Sequence, residues 1–161
     1  MAVREGDFAP GFAERSDGKD CFFPLLASCL GNKHVVLYFY PKDDTPGCTK
    51  EAESFRDLAN DFSRIDTVVV GVSKDSAASH ESFKKKYNLD FELISDEDAK
   101  LAQSYGVWVE KGMFGKTYMG IERATFLIDK RGSVRKVWRN VKVNGHSSDV
   151  LKAALEIRDF D

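Results

Sequence analysis

The chain has 161 residues and a formal charge of −2 at pH 7, from 24 Lys and Arg against 26 Asp and Glu; that length fits one α/β domain spanning residues 1–161. Hydrophobic residues make up 42% and charged residues 31%, which excludes a disordered chain. Both signs of charge are spread along the sequence, which argues against the basic field that draws a protein to nucleic acid and favours small-molecule chemistry.

The first expected elements are short N-terminal strands between Phe8 and Pro24, then a turn of helix over Leu25 to Leu30. Val35 to Tyr40 is unbroken, β-branched and aromatic, the pattern of a strand buried on both faces, and Pro41 ends it. After Asp43-Asp44-Thr45-Pro46-Gly47, apolar residues recur at Ala52, Phe55, Leu58, Ala59, Phe62 and Ile65, which predicts one amphipathic helix with Pro46 in its first turn. Thr67 to Val72 is a second buried strand, so the three elements form a right-handed βαβ unit.

A helix over Ser76 to Tyr87 places His80, Phe83 and Tyr87 inward and Lys84, Lys85 and Lys86 outward. Phe91 to Ile94 reads as a short strand and Asp96 to Tyr105 as a third helix. Ala124 to Ile128 and Ser133 to Val137 flank the turn Asp129-Lys130-Arg131-Gly132, an antiparallel hairpin. The last helix starts near Ser147 and Ser148 and buries Val150, Leu151, Ala154 and Leu155. This order predicts a thioredoxin-like fold: a central mixed sheet flanked by helices, with an N-terminal strand extension.

Pro41, Thr45 and Cys48 stand between a strand end and a helix start, where ligands collect in open α/β sheets. The helix N-terminus carries roughly half a positive charge, and a cysteine in that field ionises more readily than a free thiol of pKa about 8.5. Thr45 precedes Cys48 by one turn, so its hydroxyl reaches the same space; it can equally serve as a helix cap. Arg123 precedes the strand Ala124 to Ile128, whose start lies against that helix in a thioredoxin-like topology. A guanidinium there would hold the thiolate and donate to a bound oxygen.

No apolar run approaches the ~20 residues that cross a bilayer, and Met1 to Asp7 does not read as a signal peptide. A cytoplasmic protein without a membrane partner is expected. The cysteines, Cys21, Cys29 and Cys48, are odd in number, unsuited to a disulfide framework. The spacing of Cys21, Cys29 and His34 fits no standard zinc pattern, so no metal is expected. His34 reads as a strand-edge residue, His80 as a helix-face residue and His146 as a loop residue.

The residues so far assembled resemble a peroxiredoxin of the bacterioferritin comigratory protein group, also called Q-type. Val35 to Asp57, reading VVLYFYPKDDTPGCTKEAESFRD, carries the specific Pro-x-x-x-Thr-x-x-Cys motif. Ser95-Asp96-Glu97, Tyr105-Gly106-Val107-Trp108 and Gly120 to Asp129 extend the likeness over nearly all of the chain. The resemblance implies that Cys48 attacks the peroxide and becomes a sulfenic acid, that Thr45 and Arg123 align the peroxide, and that Pro41 shields the thiolate. It further implies that Glu51 orients Arg123. No cofactor is called for. Glu53 occupies the position where many members have a resolving cysteine, and Ser76 to Tyr87, where others carry it, has none.

The expected enzyme is therefore a one-cysteine type reducing hydrogen peroxide and organic hydroperoxides. Its partners would be a hydroperoxide and an external thiol, supplied by thioredoxin, glutaredoxin or glutathione, and its state a monomer or weak homodimer. A non-enzymatic redox sensor built on the same cysteine is the competing reading.

Overall fold

The computed structural model describes residues 2–13 and 23–157. Helix α1 (Pro24–Ala27) leads into strand β1 (His34–Phe39), every residue of which is buried. Period-two geometry divides its side chains. Val35, Leu37 and Phe39 join one core with Leu26, Leu101, Tyr105, Phe126 and Ile128, while Val36, Tyr38 and Tyr40 join another with Phe55, Phe62, Phe83, Leu127 and Val150. Apolar burial on both faces explains the uninterrupted run, each large side chain contributing roughly 1.5–3 kcal/mol.

Helix α2 (Pro46–Asp57) and helix α3 (Ala59–Ser63) occupy the stretch expected as one helix. The break falls at Leu58, whose φ of −100° and ψ of 5° leave the helical well. The apolar face survives it: the rings of Phe55 and Phe62 lie 6.2 Å apart in the same core. Strand β2 (Thr67–Ser73) then pairs in parallel with β1, Tyr38 opposite Gly71. A Cβ at Gly71 would meet Tyr38 Cζ at 3.0 Å and Leu93 Cδ2 at 2.8 Å, so this strand position has to be glycine to seat the Tyr38 ring.

Helix α4 (Ala77–Tyr87) is capped by Ser76, which accepts from the Ser79 N–H at 3.1 Å. Strand β3 (Glu92–Ser95) follows, and then helix α5 (Lys100–Ser104), shorter than the Asp96 to Tyr105 expected. Asp96 stays ahead of it, its carboxylate accepting the N–H groups of Leu101 and Ala102 at 3.0 and 2.9 Å, and so satisfies the first turn from outside.

Strands β4 (Trp108–Met113) and β5 (Lys116–Ile121) form an antiparallel hairpin that the sequence reading lacks. Strands β6 (Ala124–Ile128) and β7 (Val134–Trp138) form the expected hairpin, and helix α6 (His146–Ile157) closes the described chain. Its buried stripe is Val150, Ala153, Ala154 and Ile157, while Leu155, expected inside, is exposed. Five residues beyond Val150 is about 140° around the helix, off the inner face. Ser147 and Ser148 lie within the first turn rather than capping it, and His146 opens the helix instead of preceding it, its Nε2 2.7 Å from Thr125 Oγ1.

The central five-stranded sheet has the order β3-β2-β1-β6-β7, parallel across β3, β2 and β1 and antiparallel from β1 to β6 and β7. It is the mixed sheet flanked by helices expected of a thioredoxin-like fold. Of the N-terminal strands expected from Phe8 to Pro24, the described part carries an isolated antiparallel bridge between Phe8 and Ser133; residues 14–22, Cys21 among them, lie outside the described residues.

Candidate active site

Pairing of β1 with β6 puts Phe39 opposite Ala124, so the chain leaving β1 and the chain entering β6 meet at one edge. Alternation along β6 puts Leu127 in the core beneath α2, and Thr125 and the preceding Arg123 share that side. Arg123 thus arrives at the N-terminus of α2 by strand parity.

There Thr45 takes the N-cap position with extended backbone, φ −103° and ψ 154°, and Pro46 opens the helix. Its hydroxyl does not cap: Oγ1 donates to the Lys42 carbonyl at 2.8 Å, which leaves the oxygen lone pairs as acceptors. No acidic residue stands in the first turn of α2 to compete for its N–H groups. Cys48 sits in that turn, 3% exposed. Pro41, two residues beyond the end of β1, is exposed.

The guanidinium of Arg123 divides between two partners. Nη2 lies 3.4 Å from Cys48 Sγ, and Nη1 donates to Glu51 Oε1 at 2.8 Å. Gly47 makes room for it, since a Cβ there would stand 3.2 Å from Nη2. Burial works against the charge on Arg123, but Glu51 and Cys48 outweigh it and hold the group above the ordinary arginine range. Glu51 yields instead: burial pushes it up to about 7 despite the arginine beside it. Its second oxygen, Oε2, is buried without a hydrogen-bond partner among the described residues, which is why this carboxyl and not the part-exposed Arg123 gives way.

Three residues that the sequence reading passed over fix the approach of Arg123. Arg139 grips Glu122 with Nε on Oε2 at 2.9 Å and Nη2 on Oε1 at 2.6 Å. The Lys111 ammonium donates to the Ile121 carbonyl at 2.5 Å, and the Val141 N–H donates to the carbonyl of Arg123 itself at 3.0 Å. Burial and the charge of Arg123 hold Lys111 below the ordinary lysine range, Cys48 and Glu122 opposing. Glu122 stood beside Arg123 in the sequence, but nothing local marks a partner seventeen residues on.

Cys29 is elsewhere. It precedes β1 while Cys48 follows it, its thiol donates to the Leu25 carbonyl at 3.6 Å, and burial raises its pKa above that of a free thiol, with Ser28 and Lys33 opposing. An inert packing cysteine fits these surroundings.

Residues 6–137 match the AhpC/TSA family. The chain belongs to that family. It is 51% identical over 151 residues to the putative peroxiredoxin bcp of Coxiella burnetii, covering 94% of this chain and 98% of that one. It is 45% identical to peroxiredoxin Bcp of Bacillus subtilis, covering 99% of each. Among solved structures, peroxiredoxin Q of Xanthomonas campestris superposes with a TM-score of 0.82 at 40% identity over 98% of both chains. A second Xanthomonas campestris structure, of the bacterioferritin comigratory protein, concerns its alkyl peroxide reduction activity and superposes at 0.82 with 39% identity over 98% of this chain and 99% of that one. The peroxiredoxin is thus of the Bcp group, and it is a thiol-dependent peroxidase with a peroxide substrate and a thiol reductant. Among the described residues no helix is long and apolar enough to cross a membrane.

Proposed function

We propose that Cys48 is the residue oxidised, that hydrogen peroxide and organic hydroperoxides are its substrates, and that it works as a one-cysteine enzyme. The observation that carries this reading is the 3.4 Å contact of Arg123 Nη2 with Cys48 Sγ at the N-terminus of α2. The thiolate attacks the terminal peroxide oxygen, an S–O bond forms as the O–O bond breaks, and the leaving oxygen departs as water or an alcohol once protonated. Charge gathers on that leaving oxygen. Donors already aimed at the space, Arg123 and the first-turn N–H groups of α2, stabilise it without reorganising. Thr45 accepts from the peroxide hydroxyl and so fixes which oxygen is attacked, and Pro41 shields the thiolate from water.

The sulfenic acid on Cys48 is then displaced by one external thiol with loss of water, and a second thiol releases Cys48 and leaves as the disulfide. Thioredoxin, glutaredoxin or glutathione supplies these thiols in the cytoplasm. The chemistry consumes two thiols per peroxide and calls for no metal or organic cofactor. A single domain over residues 1–161, as a monomer or weak homodimer, carries the reaction.

Single-turnover kinetics test the assignment. Cys48→Ser abolishes peroxide consumption because an alcohol is not ionised at neutral pH, and Cys21→Ser and Cys29→Ser retain the first oxidation. Substantial single-turnover activity in Cys48→Ser would overturn the reading.

A further inference from the structure

Beneath the segment from Pro41 to Thr45 lies a buried polar cluster that the peroxide chemistry does not use. Asp43, 7% exposed, belongs to that segment. Its Oδ1 accepts the Tyr40 hydroxyl at 2.5 Å, and its Oδ2 accepts the Ser79 hydroxyl at 2.8 Å and lies 2.8 Å from His80 Nδ1. The Asp43 N–H donates to Asp75 Oδ2 at 2.8 Å, and Ser73 donates to the same oxygen at 2.6 Å. His80, 3% exposed, has its other nitrogen, Nε2, 3.0 Å from the Ile94 carbonyl.

Both ring nitrogens of His80 therefore face acceptors, a carboxylate and a backbone carbonyl. A neutral imidazole would turn a lone pair on one of them. Only the doubly protonated ring donates to both at once, and in that form it would pair with Asp43 as an imidazolium. Asp43, Asp75 and His80 have ligating atoms within 4.8 Å of one another, but the protein's own donors already fill these acceptors. The arrangement is a closed hydrogen-bonded cluster.

We propose that His80 is a positioning residue for peroxide reduction: its ion pair with Asp43 locks the segment that presents Thr45 and opens α2, and loss of the imidazolium proton releases that lock. The proposal rests on the reading of Cys48 as the reacting thiol. Asp43 lies two residues before Thr45 and ties its segment to the end of β1 through Tyr40, to the turn after β2 through Asp75, and to α4 through Ser79 and His80. The Ile94 carbonyl anchors the ring in turn to β3. Asp44 adds a surface tether, accepting from Lys86 Nζ at 2.8 Å and the Tyr87 hydroxyl at 2.6 Å.

When His80 loses a proton, the remaining N–H stays on Nδ1 facing the Asp43 carboxylate, and the ion pair becomes a neutral hydrogen bond. Nε2 is left with a lone pair toward the Ile94 carbonyl, so the ring loses its anchor on β3 and the segment relaxes from its place. The groups facing the ring are Asp43, Asp75, the Tyr40 and Ser79 hydroxyls and the Ile94 carbonyl; outside, Lys84 and Glu92 pair with each other at 3.7 Å. Burial disfavours the charge on His80, yet the hydrogen bond and charge of Asp43 outweigh it and raise its pKa. The lock is therefore fully present below the ordinary histidine value and is lost as pH rises through the raised one.

Two measurements test this. Ring resonances of His80 in the unmodified protein give its protonation directly, and stopped-flow oxidation of Cys48, divided by the thiolate fraction from alkylation rates, gives the intrinsic rate against pH. The expected result is a His80 midpoint above about 6.5, with the intrinsic rate falling at the same midpoint. His80→Gln still donates to Asp43 but cannot titrate, so it should lose that alkaline fall and run about tenfold slower at pH 7. A His80 midpoint at or below the ordinary histidine value, or an unchanged rate and alkaline fall in His80→Gln, overturns the proposal. The ring titration keeps it testable if the variant does not fold. Failure of the Cys48 reading shows separately, as oxidation that persists in Cys48→Ser.

Discussion

Cys48 and Arg123 are seventy-five residues apart in the chain, and their meeting was legible because a helix start and a strand start are both readable from sequence pattern and a thioredoxin-like topology sets one against the other. Truncating the guanidinium in Arg123→Ala removes a charge-bearing donor to the leaving oxygen and should slow Cys48 oxidation by about 10²–10³-fold. Thr45→Val should slow it less, by roughly tenfold, the loss of one hydrogen bond. Stopped-flow rates on the two variants rank them, and a faster Arg123→Ala than Thr45→Val would reverse the assigned roles. Lys111 and Arg139 were not legible. Their effect runs through backbone at Ile121 and through Glu122, and only the fold reveals those contacts.

Glu51 makes a prediction about stability. Its folded pKa is raised to about 7 from an ordinary 4.5, so the folded state holds a proton that the unfolded chain has released. This contribution is fully present below about 4.5 and is lost as pH rises through 7. Glu51→Gln should therefore gain on the native protein by roughly 3 kcal/mol between pH 4 and pH 8. Urea unfolding of both proteins at the two pH values measures it, and a gap that stays constant would place Glu51 as a fixed anion.

On the scale of elements, the N-terminus of α2 is shaped by what its residues leave out as much as by what they supply. Gly47 is the clearest case, since a Cβ there would press on Arg123 Nη2 at 3.2 Å. Gly47→Ala favours the helix by up to about 1 kcal/mol while displacing the guanidinium from Cys48. Its melting temperature should hold or rise as its oxidation rate falls about tenfold; an undiminished rate would show that the arginine has room to shift. The β1-α2-β2 unit was readable because its apolar runs have unambiguous periods. The β4-β5 hairpin was not, because its turn at Phe114-Gly115 uses positive φ at both residues, 53° and 78°, with a phenylalanine where asparagine is the usual signal. Helix α5 was overread for a related reason: Asp96 caps it by folding back from five residues ahead, an arrangement no local pattern announces.

At the level of the whole molecule, the sheet keeps two cysteines apart. Cys29 and Cys48 flank β1, whose six residues at ~3.3 Å each span roughly 20 Å, whereas a disulfide needs Cα atoms within about 7 Å. With Glu at position 53 and no cysteine on α4, we propose that oxidised Cys48 waits for a thiol from another molecule. Peptide mapping under non-reducing conditions, after one equivalent of hydrogen peroxide in the presence of a sulfenic-acid trap, tests this most directly. The expected product is a stoichiometric trap adduct on the Cys48 peptide, replaced by sulfinic acid when peroxide is in excess and neither trap nor reductant is present. A stoichiometric Cys21–Cys48 or Cys29–Cys48 linkage, or an adduct elsewhere with Cys48 still reduced, would contradict it.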